Sequence, residues 1–311
     1  MERIDLTVNF AGLKLKSPVF TASGTCGYAD ELDDFIDIDR LGGFITKSIT
    51  IEKRDGNPMP RIVETDSGML NAIGLANVGV EKFIAEKLPL LKNYKTPFFV
   101  NIAGKTIDEY IAVAEKLAEF EQIAGFELNI SCPNVKKGGI TFGTDPQLIH
   151  QITTAVKKAV GKKILITKLT PNVTDISITA KAAIEAGTDA LSMINTFTAM
   201  VIDIETRKPV LANRTGGLSG PAIKPIAVYL VNKVYNEVAK SANVPILGGG
   251  GIRSAADAVE FLIAGATAVS IGTASFIYPD TAIKVIDGIE DYCRRHKIER
   301  FGELTGSLKY K

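Results

Sequence analysis

Short apolar runs alternate along the chain with longer stretches whose apolar residues recur at helical spacing. Val, Ile, Phe and Leu dominate runs at 19–22, 44–46, 98–101, 126–130, 164–168, 190–195, 245–247 and 268–271, each too short for a helix. These eight runs predict strands. Between them, apolar residues three and four apart predict helices over 30–38, 80–91, 107–121, 146–160, 176–186, 225–239, 255–264 and 281–295. Asp145 ahead of Pro146, and Ser254 ahead of Ala255, have the chemistry of helix starts. Gly187 and Gly265 stand where a helix takes a left-handed residue to stop. Strands that read as continuous apolar runs are buried on both faces, as in parallel sheets covered by helices. Eight strands alternating with eight helices therefore predict an α/β fold, a closed (β/α)8 TIM barrel rather than an open doubly wound sheet.

No Pro- or Ser-rich linker interrupts the alternation, so residues 1–311 are expected to form a single domain. A barrel of this kind takes about 250 residues, and the surplus has three places to go. Leu6, Val8 and Phe10, then Leu13 and Leu15, alternate with other residues about Ala11-Gly12, which predicts an N-terminal hairpin closing the barrel bottom. The other two are long loops after the second strand (48–77) and the sixth (197–224). Both leave from strand C-termini, the face on which barrel enzymes keep their sites.

Composition removes several functions. Lys and Arg total 36 against 35 Asp and Glu, a net charge of +1, with no basic excess to hold a nucleic-acid backbone. Apolar residues make up 46% and charged residues 23%, ordinary for a packed globular chain. No apolar run approaches the roughly 18 residues of a membrane span, and Met-Glu-Arg-Ile-Asp at the start is no signal peptide. A soluble cytoplasmic protein is expected. Cys26, Cys132 and Cys293 are too far apart for a disulfide framework, a zinc ribbon or an iron–sulfur cluster, and no metal site is expected. Glycine is over-used, with 28 in 311 residues against an average of about 7%.

The residues at or just past the predicted strands are Ser23, Lys47, Asn101, Asn129 with Ser131 and Cys132, Lys168, Asn195 with Thr196, Gly248 to Gly251, and Gly272-Thr273. One polar residue at a strand end is ordinarily a turn former. A full circle of them, two being lysines, would converge on one rim if the barrel closes. The glycine runs after strands seven and eight stand where barrels bind phosphate, because glycine lets backbone N–H groups approach an anion. Neither run is a Walker loop, and Ser23-Gly24-Thr25-Cys26-Gly27 lacks the spacing of a dinucleotide fingerprint. His150 and His296 lie away from the strand ends, which disfavours a Ser-His-Asp hydrolase and a His-rich metal site. Asn71, Asn129, Asn134 and Asn195 offer acceptors and donors suited to a ring of alternating amides and carbonyls, and Lys47 suits a carboxylate. A free cysteine is most often a buried, inert thiol. Cys132 departs from that pattern: it follows a strand end, precedes Pro133, and is trailed by Gly138-Gly139, which could hinge a lid.

The segments Ser67-Gly-Met-Leu-Asn-Ala-Ile-Gly-Leu75, Asn129-Ile-Ser-Cys-Pro-Asn134, Ile194-Asn-Thr196 and Gly216-Gly-Leu-Ser-Gly-Pro-Ala-Ile-Lys-Pro225 resemble the class 1 dihydroorotate dehydrogenases, most closely the catalytic subunits of type 1B. The resemblance covers nearly the whole chain. It implies an FMN-containing barrel that oxidises dihydroorotate to orotate in pyrimidine (UMP) biosynthesis. Cys132 matches the family's general base, which removes a ring proton while hydride passes to the flavin. Lys47, Asn71, Ala72, Ile73, Gly74, Leu75, Asn129, Asn134, Asn195 and Thr196 match positions that hold the substrate. Ser23, Lys47, Ser48, Asn101, Asn129, Lys168, Ile194, Gly220, Gly250, Gly251, Gly272 and Thr273 match the flavin site. Lys168 would place a cation near the flavin ring, favouring its reduction. The resemblance further implies a homodimer core in a heterotetramer, with an electron-transfer subunit carrying FAD and a 2Fe-2S cluster and passing electrons to NAD. The alternatives are a type 1A enzyme using fumarate, another FMN barrel acting on a pyrimidine without the carboxylate, and a non-catalytic barrel binding a phosphorylated ligand. One departure is Leu247-Gly-Gly-Gly-Gly251, where the family has a larger residue among the glycines.

Overall fold

The computed structural model describes residues 4–131 and 142–310. Its central sheet has eight parallel strands: β1 (Val19–Thr21), β2 (Phe44–Ile45), β3 (Phe98–Ile102), β4 (Ile123–Asn129), β5 (Ile164–Lys168), β6 (Ala190–Met193), β7 (Ile246–Gly249) and β8 (Ala268–Ile271). From β2 to β8 each pairs with its sequence neighbour, β8 returns to β1, and an isolated bridge between Phe20 and Gly43 joins β1 to the chain entering β2. The ring closes as a (β/α)8 barrel. At the β1–β2 seam a side chain stands in for a ladder rung, since Thr21 Oγ1 donates to the Ile45 carbonyl at 3.2 Å and accepts from the Ile45 N–H at 2.9 Å.

Regular helices cover the outside: α1 (Ile107–Ala118), α2 (Pro146–Val160), α3 (Ile176–Glu185), α4 (Lys224–Val234), α5 (Ala255–Ala264) and α6 (Thr281–Arg295). Four of their starts are fixed by side chains that accept from orphan N–H groups: Thr106 for α1, Asp145 for α2, Asp175 for α3, and a full capping box of Ser254 and Asp257 for α5. The helix expected at 80–91 is a broken coil of α, π and 3-10 turns. Pro89 lies within it and cannot donate the bond an α-turn would need.

The helix expected over 30–38 does not form; the chain runs through turns into a single 3-10 turn at Ile38–Arg40. Asp30, Glu31, Asp33, Asp34 and Asp37 crowd carboxylates into that span, and Asp is a poor helix former because it bonds nearby backbone instead. Asp39 shows the competing use: its carboxylate accepts from the N–H groups of Lys95 and Thr96, which lead into β3. Leu32, Ile36 and Ile38 are still buried, so the segment covers the barrel without being helical.

The N-terminal hairpin forms as expected, Val8–Phe10 pairing antiparallel with Leu13–Leu15. Ala11 and Gly12 both have positive φ, the type I′ geometry whose twist matches a tight hairpin. Phe10 then lies 5.4 Å, ring to ring, from Phe20 of β1, which in turn meets Phe99 of β3 at 5.6 Å.

The two long connections do more than the expected loops. Gly68–Asn71 and Ile62–Thr65 from the first join Gly216–Ser219 and Phe197–Ala199 from the second in one four-stranded antiparallel sheet. This rim sheet has its own small core of Leu70, Ala72 and Leu211, separate from the main one. Among the described residues, no helix is long and apolar enough to cross a membrane.

Candidate active site

The upper interior of the barrel holds a polar chain among apolar neighbours. Strand register sets Asn101 opposite Glu127, Asn129 opposite Lys168, and Lys168 opposite Ser192. The Glu127 carboxylate accepts from Asn101 Nδ2 at 2.6 Å, from Ser192 Oγ at 2.7 Å and from Lys168 Nζ at 3.5 Å. Ser192 lies two strands away on β6, so this contact crosses the barrel interior. A carboxylate only accepts, so Asn101 must turn its NH2 towards it. Its Oδ1 is thereby left to accept from Ser48 Oγ at 2.5 Å. The Glu127 side chain is 1% exposed and that of Lys168 12%, so the acid is sealed in while the ammonium reaches the mouth.

Lys47 and Ser48 follow directly from β2, and the Lys47 N–H is tied to the Gly27 carbonyl at 2.8 Å. That bond docks the loop carrying Ser23 against the loop carrying Lys47. Cys26, in the same loop, is buried, with its Sγ 3.4 Å from Thr25 Oγ1. Burial pushes its thiol above the ordinary value. Cys293 is buried on α6, and burial raises its thiol likewise. Neither is an activated nucleophile.

The rim sheet brings together residues that sequence alone keeps apart. Asn71 pairs with Gly217, and its Nδ2 lies 3.5 Å from the Gly217 carbonyl. A Cβ on Gly217 would fall 2.1 Å from Thr196 Oγ1, so Asn71, Gly217 and Thr196 share one corner of the mouth. Thr196 is held by its neighbours: its N–H donates to Asn195 Oδ1 at 2.8 Å and its carbonyl accepts from Asn172 Nδ2 at 2.9 Å. Ala72 to Leu75 run on from this strand, fixed by the Ala72 N–H on the Arg61 carbonyl and the Asn57 N–H on the Ile73 carbonyl. Asn77, which the sequence reading passed over, organises the rest of this connection. Its side chain bonds Thr50 Oγ1, the Leu75 carbonyl and the Gly79 N–H, each at 2.8 Å.

The glycines after β7 and β8 form a close-packed cradle. Gly251 has φ +87°, and a Cβ there would lie 2.7 Å from the Gly220 carbonyl oxygen and 2.9 Å from Lys224 Cβ. Gly250 packs beside Ile194, whose own N–H donates to the Gly249 carbonyl at 2.9 Å. Thr273 Oγ1 and Ser219 Oγ are 2.8 Å apart, which ties the loop after β8 to the rim sheet. The N–H groups of Gly250, Gly251, Gly272 and Thr273 donate to no backbone acceptor among the described residues. Four such donors at one edge of the mouth suit the oxygens of a phosphate.

Cys132, Asn134 and the pair Gly138-Gly139 lie outside the described residues. The positions on either side are well anchored. Tyr110 OH donates to the Asn129 carbonyl at 2.6 Å, and a Cβ on Gly143 would come within 2.9 Å of the Ile130 carbonyl oxygen. Among the described residues no group of three or more His, Cys, Asp or Glu side chains could hold a metal ion.

The structure thus gathers Lys47, Ser48, Asn101, Asn129, Lys168, Asn195 and Thr196 at the C-terminal ends of the barrel strands, with Asn71 above them on the rim sheet. Sequence reasoning missed Glu127 and Ser192, which join several of these groups from below. The available signal was a carboxylate inside the apolar run Phe126-Glu127-Leu128, where an acid has no reason to be unless it is paired.

A family model described as dihydroorotate dehydrogenase matches residues 5–293. A dihydroorotate dehydrogenase B (NAD(+)) catalytic subunit from Pelobacter propionicus is 54% identical over 305 residues, covering 98% of this chain and 99% of that one. Proteins of the same name from Geotalea daltonii and Alkaliphilus metalliredigens are 52% and 51% identical, each covered over its full length. Among solved structures, a crystal structure of DHODH from Eimeria tenella in complex with ferulenol superposes with a TM-score of 0.79 at 25% identity, over 97% of this chain and 88% of that one.

Proposed function

This chain belongs to the dihydroorotate dehydrogenase family, and from that premise we propose how its rim performs the reaction. It oxidises dihydroorotate to orotate in pyrimidine synthesis, with NAD as the final electron acceptor. Its relatives are named catalytic subunits, so the working enzyme includes a partner. We assign FMN to this chain, as one domain spanning residues 1–311. FAD and a 2Fe-2S cluster fall to the partner, because three widely spaced cysteines cannot ligate a cluster here. The assembly we propose is a homodimer core flanked by two partner subunits, in the cytoplasm.

FMN fits the donor set. The N–H groups of Gly250, Gly251, Gly272 and Thr273, which have no backbone acceptor among the described residues, would take its phosphate, and Ser23, Lys47, Ser48, Asn101, Asn129, Lys168, Ile194 and Gly220 would line the remainder. When bound, it supplies the hydride acceptor. Lys47 pairs with the substrate carboxylate, while Asn71, Asn129, Asn134, Asn195 and Thr196 hold the ring amides and carbonyls, with residues Ala72 to Leu75 closing over them. Cys132 takes the ring proton. The observation that carries this reading is the convergence of Asn71 and Thr196, from connections far apart in the chain, on the mouth that Lys47, Asn129 and Lys168 encircle.

The test is reduction of the purified chain by dihydroorotate without oxygen, followed by reoxidation. The chain is expected to be yellow and to bleach with dihydroorotate. It should pass electrons to NAD only when the partner is added, and not turn over with fumarate. A colourless chain would defeat the FMN assignment; turnover with fumarate alone would defeat the NAD route.

Gly251→Ala tests the cradle separately. The new Cβ must displace the Gly220 carbonyl at a backbone angle that L side chains rarely adopt, a strain of about 1–3 kcal/mol. FMN affinity should fall by about 10- to 100-fold, read by quenching of flavin fluorescence on titration of the apo-chain. Unchanged affinity would remove Gly251 from the phosphate site.

A further inference from the structure

We propose that Glu127 is a positioning residue that sets the reduction potential of the bound flavin by sharing the Lys168 ammonium and fixing the Asn101 amide. The proposal rests on the FMN reading above and goes beyond it, because Glu127 lies beneath the groups assigned to flavin.

Three observations carry it. First, among the described residues Glu127 and Asp257 are the buried acids, and Glu127 is the more deeply sealed, at 0% exposure of the whole residue against 8% for Asp257. Asp257 is explained by its place in the α5 capping box and its bond to Lys224. Nothing in the helix caps or sheet ladders requires Glu127. A buried ion pair is also weak evidence for a stabilising role, since apolar replacements often serve as well. Second, the bonds around Glu127 are unequal. Asn101 and Ser192 satisfy the carboxylate at 2.6 and 2.7 Å, whereas Lys168 Nζ stands off at 3.5 Å. Among the described residues Glu127 is the only acceptor for Lys168. An ammonium has three donors, so two remain for a ligand at the mouth while the acid below tempers the charge. Third, among the described residues, the side chains hydrogen-bonded to that of Glu127 or one bond further on (Asn101, Lys168 and, through Asn101, Ser48) belong to the proposed flavin lining, apart from Ser192.

Removing the negative charge should leave the Lys168 cation unopposed and favour the reduced flavin. Glu127→Gln in the FMN-loaded full chain is expected to raise the ratio of reduced to oxidised flavin about tenfold at a given poise, a rise of about 30 mV for a two-electron couple. The readout is a dye-equilibrated reductive titration followed by absorbance, which a merely structural role would not move. Ser192→Ala removes a neutral donor and no charge, and should leave the potential in place. Glu127→Asp keeps the charge but draws it back by one methylene, and should raise the same ratio about threefold, a rise of about 14 mV in potential.

An unmoved potential in Glu127→Gln with flavin bound overturns the proposal. So does an equal shift in Ser192→Ala, which would trace the effect to packing. If Glu127→Gln fails to retain flavin, Glu127→Asp decides by the same criterion. Loss of flavin from both acidic-site variants assigns Glu127 to the scaffold and also overturns it. A wild-type chain that binds no flavin would instead defeat the underlying FMN reading.

Discussion

Cys132→Ser is expected to slow reduction of the bound flavin by dihydroorotate about 10²- to 10⁴-fold, the range that a positioned general base contributes. A free thiol has a pKa of about 8.5 and is the more acidic group by far, so a hydroxyl in its place holds the proton at every accessible pH. The remaining rate should therefore climb towards alkaline pH rather than level off. Flavin content should be unchanged, because none of the groups assigned to FMN is altered. Stopped-flow absorbance under anaerobic conditions separates the outcomes: a wild-type rate would discard Cys132 as the base, and loss of flavin would give it a structural task. The two other thiols offer no substitute, since burial raises both Cys26 and Cys293.

Lys168→Met is expected to have two separable effects. Met preserves much of the apolar stem but removes the charge that reaches the mouth. Loss of a preorganised charge at a reacting centre costs about 10²- to 10³-fold in rate, and the flavin potential should fall, opposite in sign to Glu127→Gln. The second effect is on stability. The substitution strands the Glu127 carboxylate in the barrel interior with, among the described residues, only Asn101 and Ser192 as donors, and breaking a buried pair costs about 3–5 kcal/mol. The lower end applies here, because Lys168 is the longest of the three contacts. Urea unfolding of the apo-protein reads the second effect free of flavin. A variant that reduces at the wild-type rate would place Lys168 away from the reacting group, and an unchanged unfolding midpoint would show the Glu127 charge to be solvated.

The barrel itself was legible because its strands carry no competing signal. Ile164-Leu-Ile-Thr-Lys168 is too short and too apolar for anything but a buried strand, and the structure places β5 over the predicted residues. Helix starts at Asp145 and Ser254 were legible because capping depends on one side chain and its immediate backbone. The segment 30–38 misled because Leu32 and Ile36 have helical spacing and are indeed buried, while the local bonding preference of the surrounding aspartates overrode the period. The rim sheet was hidden for a different reason. Gly216-Gly217 has no strand propensity of its own, and it pairs because Asn71, 146 residues away along the chain, presents a matching edge. Strand-end groups such as Lys47, Asn101 and Asn129 were legible because the parallel topology sends every strand end to the same face. Glu127 was not, because its importance lies in Ser192 and Asn101, contacts made only once β3, β4 and β6 surround one interior.

The rim sheet also orders events at the ribosome. Gly68–Asn71 is made when only two of the eight barrel strands precede it, and its partner edge, Gly216–Ser219, follows after six barrel strands have been made. Until then the earlier hairpin exposes unpaired backbone groups along one side, the condition that invites pairing with a neighbouring chain. Glu64 faces outward on that hairpin beside the exposed Ile62, a charge that discourages such pairing. The corner of the mouth formed by Asn71 and Thr196 is therefore a late product of synthesis, complete only once Gly216–Ser219 has been made.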